Sequence, residues 1–252
     1  MGQRSRRTTV PADIRLSITL RIMAGADVWD LVAVFQVKLS TIYRVLESAI
    51  SALNTVLKLP GLPKTLQDLH RFAMQFKTSL KSPNPLNECV GALGGLAIKI
   101  KKPREEGNPA VYYSQKDFYA LCVKAMVDSS YNFLSYSFRC VGSTHDSLAH
   151  AASSLGKYLQ NKNLDGEFWI AGDEAYMCTE DLITPVPRCH ASSEEDAFNF
   201  FHSSLRMHME QAFGMLTAKW GIFQKPLGFP VRKSSRIVAV AMKLHSFCLS
   251  KG

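Results

Sequence analysis

The sequence predicts an α/β protein with a mixed sheet flanked by helices, preceded by a helical, helix-turn-helix-like region. Three observations predict it. Residues 26–57 place apolar side chains at helical spacing on both sides of a short turn. Residues 89–139 hold three apolar runs with strand character, and a helix pattern, another strand and two long amphipathic helices follow. Strands interleaved with helices in this way describe a sheet covered by helices.

Bulk properties narrow the function. At 252 residues the chain is long enough for one larger domain with a smaller attachment. The formal charge of +9 favours a polyanionic partner, nucleic acid first and an anionic membrane second, because Lys and Arg that neutralise phosphates release counterions. No apolar run approaches the ~18 residues of a spanning helix. The start, MGQRSRRTTV, has no apolar segment behind its charges and carries Arg6 where a myristoylation signal needs Ser or Thr. An intracellular protein is expected. Cys89, Cys122, Cys140, Cys178, Cys189 and Cys248 form no CxxC pair, so mostly buried thiols are expected rather than a zinc ribbon or a disulfide framework.

Along the chain, DIRLSITLRIMA at 13–24 fits either strand alternation or a helical face, with Gly25 as a stop. Val28, Leu31, Val32 and Phe35 then predict a helix, and Gln36, Val37 and Lys38 a turn. Ser40 is the expected N-cap of a second helix carrying Ile42, Val45, Leu46 and Ile50. In a helix-turn-helix the residues opening the second helix, here Ser40, Thr41, Tyr43 and Arg44, face the major groove. A plain helical hairpin is the alternative. The arm Arg4, Arg6, Arg7 ahead of it supports the DNA reading.

Pro60, Gly61 and Pro63 mark a boundary, and a connecting helix, TLQDLHRFAMQF, leads to the loop KSPNPLNE. The expected division is 1–60 for arm and helices, 61–88 for the connector, and 89–252 for the α/β domain. Strands are expected in CVGALGGLAIKI, FYALCVKAMVD and YNFLSYSFR, with a basic loop carrying Lys101, Lys102 and Arg104 just after Lys99. That loop could hold phosphates or be merely solvated. Gly94-Gly95 at the middle of the first strand is unusual, since Gly weakens a strand and often marks close approach. GSTHDSLAHAASSLGKYLQ reads as a helix, EFWIAGDEAY as a strand, the stretch with Pro185, Pro187 and His190 as a loop, and residues 194–220 and 234–250 as helices.

Two carboxylates sit where chemistry is expected. Asp173 ends a strand, at the edge where open α/β sheets bind ligands. Glu210 flanks the stripe Leu205, Met209, Phe213, Leu216 on a helix, where a solvated surface Glu is the plainer reading.

Residues 198–227 resemble the C-terminal signature of the PIF/Harbinger transposase family: Asn199, His202, Ser203, Arg206, Glu210, then Ala212-Phe213-Gly214, Leu216, Trp220 and Phe223. GSTHDS at 142–147, GDEAY at 172–176 with LITP at 182–185, and LHSFC at 244–248 match in the same order, with Ser246 in place of the usual Asn. The resemblance implies an RNase H-like core in which Asp, Asp and Glu hold Mg²⁺ or Mn²⁺ for DNA strand cleavage and transfer. It implies DNA as partner, a separate Myb-like DNA-binding protein, no membrane, and a nuclear location, and it leaves oligomerisation open. Carried over, the central Asp is Asp173 and the Glu is Glu210, with Asp146 as a further acidic position at the metal. The first Asp belongs to a G-A-x-D-G segment that aligns with Gly91-Ala92-Leu93-Gly94-Gly95, so its place is taken by Gly94. Glu88 is six residues away, about 20 Å along a strand, and cannot substitute. The expectation is a transposase-derived nuclease whose cleavage is severely impaired. The alternative is a DNA-binding or protein-interaction module that retains the fold without the chemistry.

Overall fold

The computed structural model describes residues 10–80, 85–104, 108–114, 117–140, 154–160, 164, 166–187 and 192–251. Three helices open the chain: α1 (Ala12–Met23), α2 (Val28–Phe35) and α3 (Leu39–Val56). The ambiguous first segment is a helix, because its neighbours accept a helical stripe: Ile18, Ile22 and Met23 are buried while Leu16 faces out. Asp27 caps α2 through Trp29 N–H at 2.7 Å. The chain then turns at Gln36, in the left-handed region at φ 51°. One expectation needs correcting here: α3 starts at Leu39 with Lys38 at its N-cap and no side-chain cap, so Ser40 lies inside the first turn. The left-handed turn residue sets the helix start one residue before the best capping side chain.

The connector forms α4 (Leu66–Ser79), closed at its start by a reciprocal capping box between Thr65 and Asp68. The sheet follows as β1 (Cys89–Lys99), β2 (Ala120–Val127), β3 (Phe133–Cys140), β4 (Trp169–Ala171) and β5 (Leu182–Ile183), with α5 (Ser154–Gln160) between β3 and β4. Two helices complete the chain, α6 (Ser193–Lys219) and α7 (Val231–Leu249). Strand order is β3-β2-β1-β4-β5; β1 pairs antiparallel with β2 and parallel with β4. The sheet is therefore mixed, as expected, with β1 at its centre. Two strand readings change. The strand before Asp173 has only three residues, and the Pro-rich stretch expected to be loop begins with β5, which pairs parallel with β4.

Side-chain alternation divides the core in two. Ala92 and Ile98 of β1, Val123 and Ala125 of β2, and Ala171 of β4 face one side, against α6, α7 and the three N-terminal helices. Leu93, Met126 and Ile170 face the other, against α4 and α5. The first cluster is continuous from Ile18 to Leu244, so it crosses the sequence boundary at Pro60. Polar contacts tie the same junction. Glu47 of α3 pairs with Arg236 and Lys233 of α7, and Lys243 donates to the Asn54 carbonyl at 2.7 Å. Burial pushes the Glu47 carboxyl up, but hydrogen bonds from Arg236 and Lys233 outweigh this and hold it below its ordinary value.

Cys89 is buried, with its thiol pushed up to about 12 by burial, Cys122 and Cys248 are half-buried, and Cys178 is exposed. None of these four is in a disulfide. Among the described residues no helix is long and apolar enough to cross a membrane.

Candidate active site

Position 94 lies at the middle of β1, the central strand of the sheet. Gly94 is opposite Ala125 of β2 and is buried, with its open side toward α6. A Cβ built there would stand 2.8 Å from Met209 Cγ, closer than real contacts allow. The side chain of Met209, only 3% exposed, takes the space that an Asp would enter. Gly95 points the other way and is exposed, with no such contact.

Asp173 reaches the same face from β4. The chain leaves the strand through Gly172, whose N–H donates to Ile183 O at 2.8 Å, and a Cβ there would meet Leu182 Cδ1 at 2.8 Å. Glycine thus lets β4 and β5 close up immediately before the acid. Asp173 then organises its own turn. Its Oδ1 accepts from Glu174 N–H at 2.7 Å and its carbonyl from Tyr176 N–H at 3.0 Å. From β2, Lys124 lies 4.3 Å from the centre of the Tyr176 ring, so a cation–π contact steadies the far end of this turn.

α6 supplies the second carboxylate. A capping box between Ser192 and Glu195 starts it, and Leu205, Met209, Ala212, Phe213 and Leu216 bury its inner stripe. Glu210 flanks that stripe as its spacing predicts. One turn earlier, Arg206 Nη2 lies 3.4 Å from Glu210 Oε1 and 3.5 Å from Asp173 Oδ1. A single guanidinium nitrogen therefore joins the two acids. Between them and the β1 glycines is a cavity of about 330 Å³.

The motif residues upstream on α6 have structural work. Asn199 accepts from Val186 N–H at 2.9 Å and donates to Val186 O at 3.0 Å, and His202 Nε2 donates to Ile183 O at 3.0 Å. Together they hold β5 and the segment after it against the helix. His202 stacks on Phe198 and Trp169. Burial pushes its imidazole below the ordinary value, and the nearby Arg206 adds to this, while the bond to Ile183 and the Asp173 charge oppose it. A neutral imidazole suits a positioning role. A second groove, about 870 Å³, lies on the other side of Arg206 and is lined by Tyr176, Thr184, Asn199 and His202.

The other expected site residues are distributed unevenly. Asp146, and with it GSTHDS, lies outside the described residues. Ser40, Tyr43 and Arg44 are exposed at the start of α3, with Thr41 half-buried, and none of them lines the cavity beside the carboxylates. Lys99 lies over the Phe118 ring at 5.0 Å, while Lys101 and Lys102 line a different cleft with Arg104. The structure thus brings together positions 94, 173 and 210 and keeps the basic loop apart. Met209 was legible only as a core residue. The signal of Arg206 was present, a cation four residues before Glu210 on one helical face.

Divalent-ion chemistry at such a site requires convergent hard oxygen ligands. Among the described residues no three His, Cys, Asp or Glu side chains converge. Two carboxylates are present, they share a guanidinium, and the third position is a glycine backed by Met209. The described residues by themselves do not make a two-ion centre; Asp146 lies outside them.

A family model described as DDE superfamily endonuclease matches residues 93–246, more than half of the chain, and its first matched residues are Leu93 and Gly94. No curated protein and no solved structure matches.

Proposed function

This chain belongs to the DDE superfamily endonuclease family, and on that basis we propose that it is a transposase-derived DNA-binding protein in which metal-dependent strand cleavage is severely impaired. One observation carries the proposal. Gly94 occupies the central strand at the point where a carboxylate would face Asp173 and Glu210, and Met209 fills the space. With one negative charge fewer, the site holds a divalent ion such as Mg²⁺ or Mn²⁺ more weakly. Losing one member of a catalytic set commonly costs several powers of ten in rate.

DNA as the partner follows from the family and from the +9 charge. The order of the motifs supports the PIF/Harbinger branch, and with it a nuclear location and a Myb-like partner. Two helices joined by a tight left-handed turn, with Ser40, Tyr43 and Arg44 exposed at the second helix start, support a groove-reading role for α3.

The test is nicking of supercoiled DNA in Mg²⁺ or Mn²⁺ by three proteins: the natural chain, Gly94→Asp, and Gly94→Asp with Met209→Ala. Cleavage by the double variant and none by the natural chain is the expected result. Cleavage by the natural chain at the rate of either variant would sink the claim of impairment. If none cuts while binding persists, the chain is a binding module that has lost more of the site than position 94.

A further inference from the structure

The described residues hold a further concavity, of different chemistry, where β1 ends. Ile100 pairs with Leu227, and two 2.9 Å backbone bonds, Lys101 N–H to Leu227 O and Leu227 N–H to Lys99 O, lay this later segment alongside the strand. That pairing brings the start of α7 beside the loop after β1. Between them is a cleft of about 460 Å³ lined by Lys101, Lys102, Arg104, Gly228, Phe229 and Pro230.

Its charge is one-sided. No carboxylate of a described residue lines it, and Lys101, Lys102 and Arg104 make no ion pair among the described residues. Neighbouring cations are already engaged: Lys99 on Phe118, Lys233 on Glu47 and the Phe229 ring, and Arg236 on Glu47. Glu105 and Glu106 follow Arg104 in sequence, outside the described residues. The first turn of α7 also departs from the usual preference, with no acid, Pro230 as N-cap, no side-chain cap, and Arg232 and Lys233 in place of Asp or Glu. Helix N-termini ordinarily attract negative side chains, so Arg232 adds to the positive potential of the free amide groups, while Lys233 is paired with Glu47.

We infer that this cleft grips phosphates of the DNA backbone at a point separate from the carboxylate groove. The inference rests on the DNA-binding reading above and adds a backbone contact to it. Phosphodiesters suit the lining: Arg104 offers a fork for two oxygens, and Lys101 and Lys102 offer mobile point charges. Lys101 is seven residues beyond Gly94, or about 23 Å along the strand. That spans about seven base pairs at 3.4 Å each, so one duplex can reach both places. The contacts are to backbone, so the cleft adds affinity without base preference.

The test is a salt titration of binding to a labelled random-sequence duplex, using the full chain. Three proteins are compared: the natural chain, Lys101→Ala/Lys102→Ala/Arg104→Ala, and a control with equal charge loss at exposed positions elsewhere, Lys58→Ala/Lys64→Ala/Lys77→Ala. The cleft variant is expected to bind more weakly on every sequence, with the slope of log K against log salt reduced by about 3, and the control to keep its slope. Wild-type affinity and slope in the cleft variant would overturn the inference while leaving the DNA reading intact, as would an equal loss in the control. Absence of salt-dependent binding by the natural chain would overturn both.

Discussion

Met209 Cγ lies 2.8 Å from where a Cβ on Gly94 would stand. The missing carboxylate and its neighbour on α6 are therefore one structural unit: the glycine makes room and the methionine occupies it. Because Cγ is close to the backbone of Met209, a side chain at 94 demands a different Met209 rotamer rather than a small shift of its far end.

Stability of variants at this pair should be non-additive. Gly94→Ala alone should destabilise by about 1–3 kcal/mol through overpacking, and Met209→Ala by about 2–5 kcal/mol through a cavity. The combined variant should lose less than the sum, with a coupling of at least about 0.5 kcal/mol in urea unfolding. Simple additivity would show that the two side chains do not compete for space.

Arg206→Ala separates charge from fold. Asp173 and Glu210 side chains are 38% and 68% exposed, so their shared pairing should stabilise by about 1 kcal/mol or less. Removing the cation should nevertheless raise affinity for Mn²⁺, because two carboxylates then face one opening uncompensated. Calorimetric titration with Mn²⁺ reads this directly, and unchanged affinity would mean the guanidinium does not shape the local potential.

Three buried histidines predict a pH dependence. Burial is the leading cause that lowers His202, His208 and His245, and each ring is tied to the fold, His208 through Ser79 Oγ at 3.0 Å and His245 to Tyr131 O at 3.2 Å. The unfolded chain then binds protons that the folded chain refuses. Stability is full above the ordinary imidazole value of 6.5 and falls as pH drops through it toward the lower folded values. Urea midpoints should decline between about pH 7.5 and 5.5, and His208→Gln should flatten the slope. Midpoints that hold or rise on acidification would contradict the assignment.

The junction of α3 and α7 should behave as part of one cooperative core. Glu47→Gln removes the partner of Arg236 and Lys233 and should cost about 1 kcal/mol, since the pair is half-exposed. Hydrogen exchange should show α1–α3 opening together with α7, because Ile18, Ile42, Ile237 and Val240 share one cluster. Protection of α7 surviving full exchange in α3 would make the N-terminal helices a separate unit.

Much of this was legible in residue order. Helical spacing identified α2, α3, α6 and α7, and the stretch TLQDLHRFAMQF was read as the connecting helix that became α4. The motif alignment located positions 94, 173 and 210, which line one cavity. Short or compensated features were not legible. β5 has two residues, too few for an alternation, and exists because Gly172 lets Leu182 approach. Ser40 is a better capping residue than Lys38, yet the left-handed Gln36 decides where α3 begins.

By itself the sequence determined the type of the longer periodic elements, the identity of the surviving acids and the absence of one at 94, because periodicity and side-chain identity are local properties; it left α1 ambiguous and hid β5. Only the tertiary structure decided that Met209 fills the vacated space, that Arg206 joins Asp173 to Glu210, and that the basic loop meets the start of α7 instead of the carboxylates. Those are distances between residues far apart in sequence, and they are set by which faces of the sheet and helices are buried against one another.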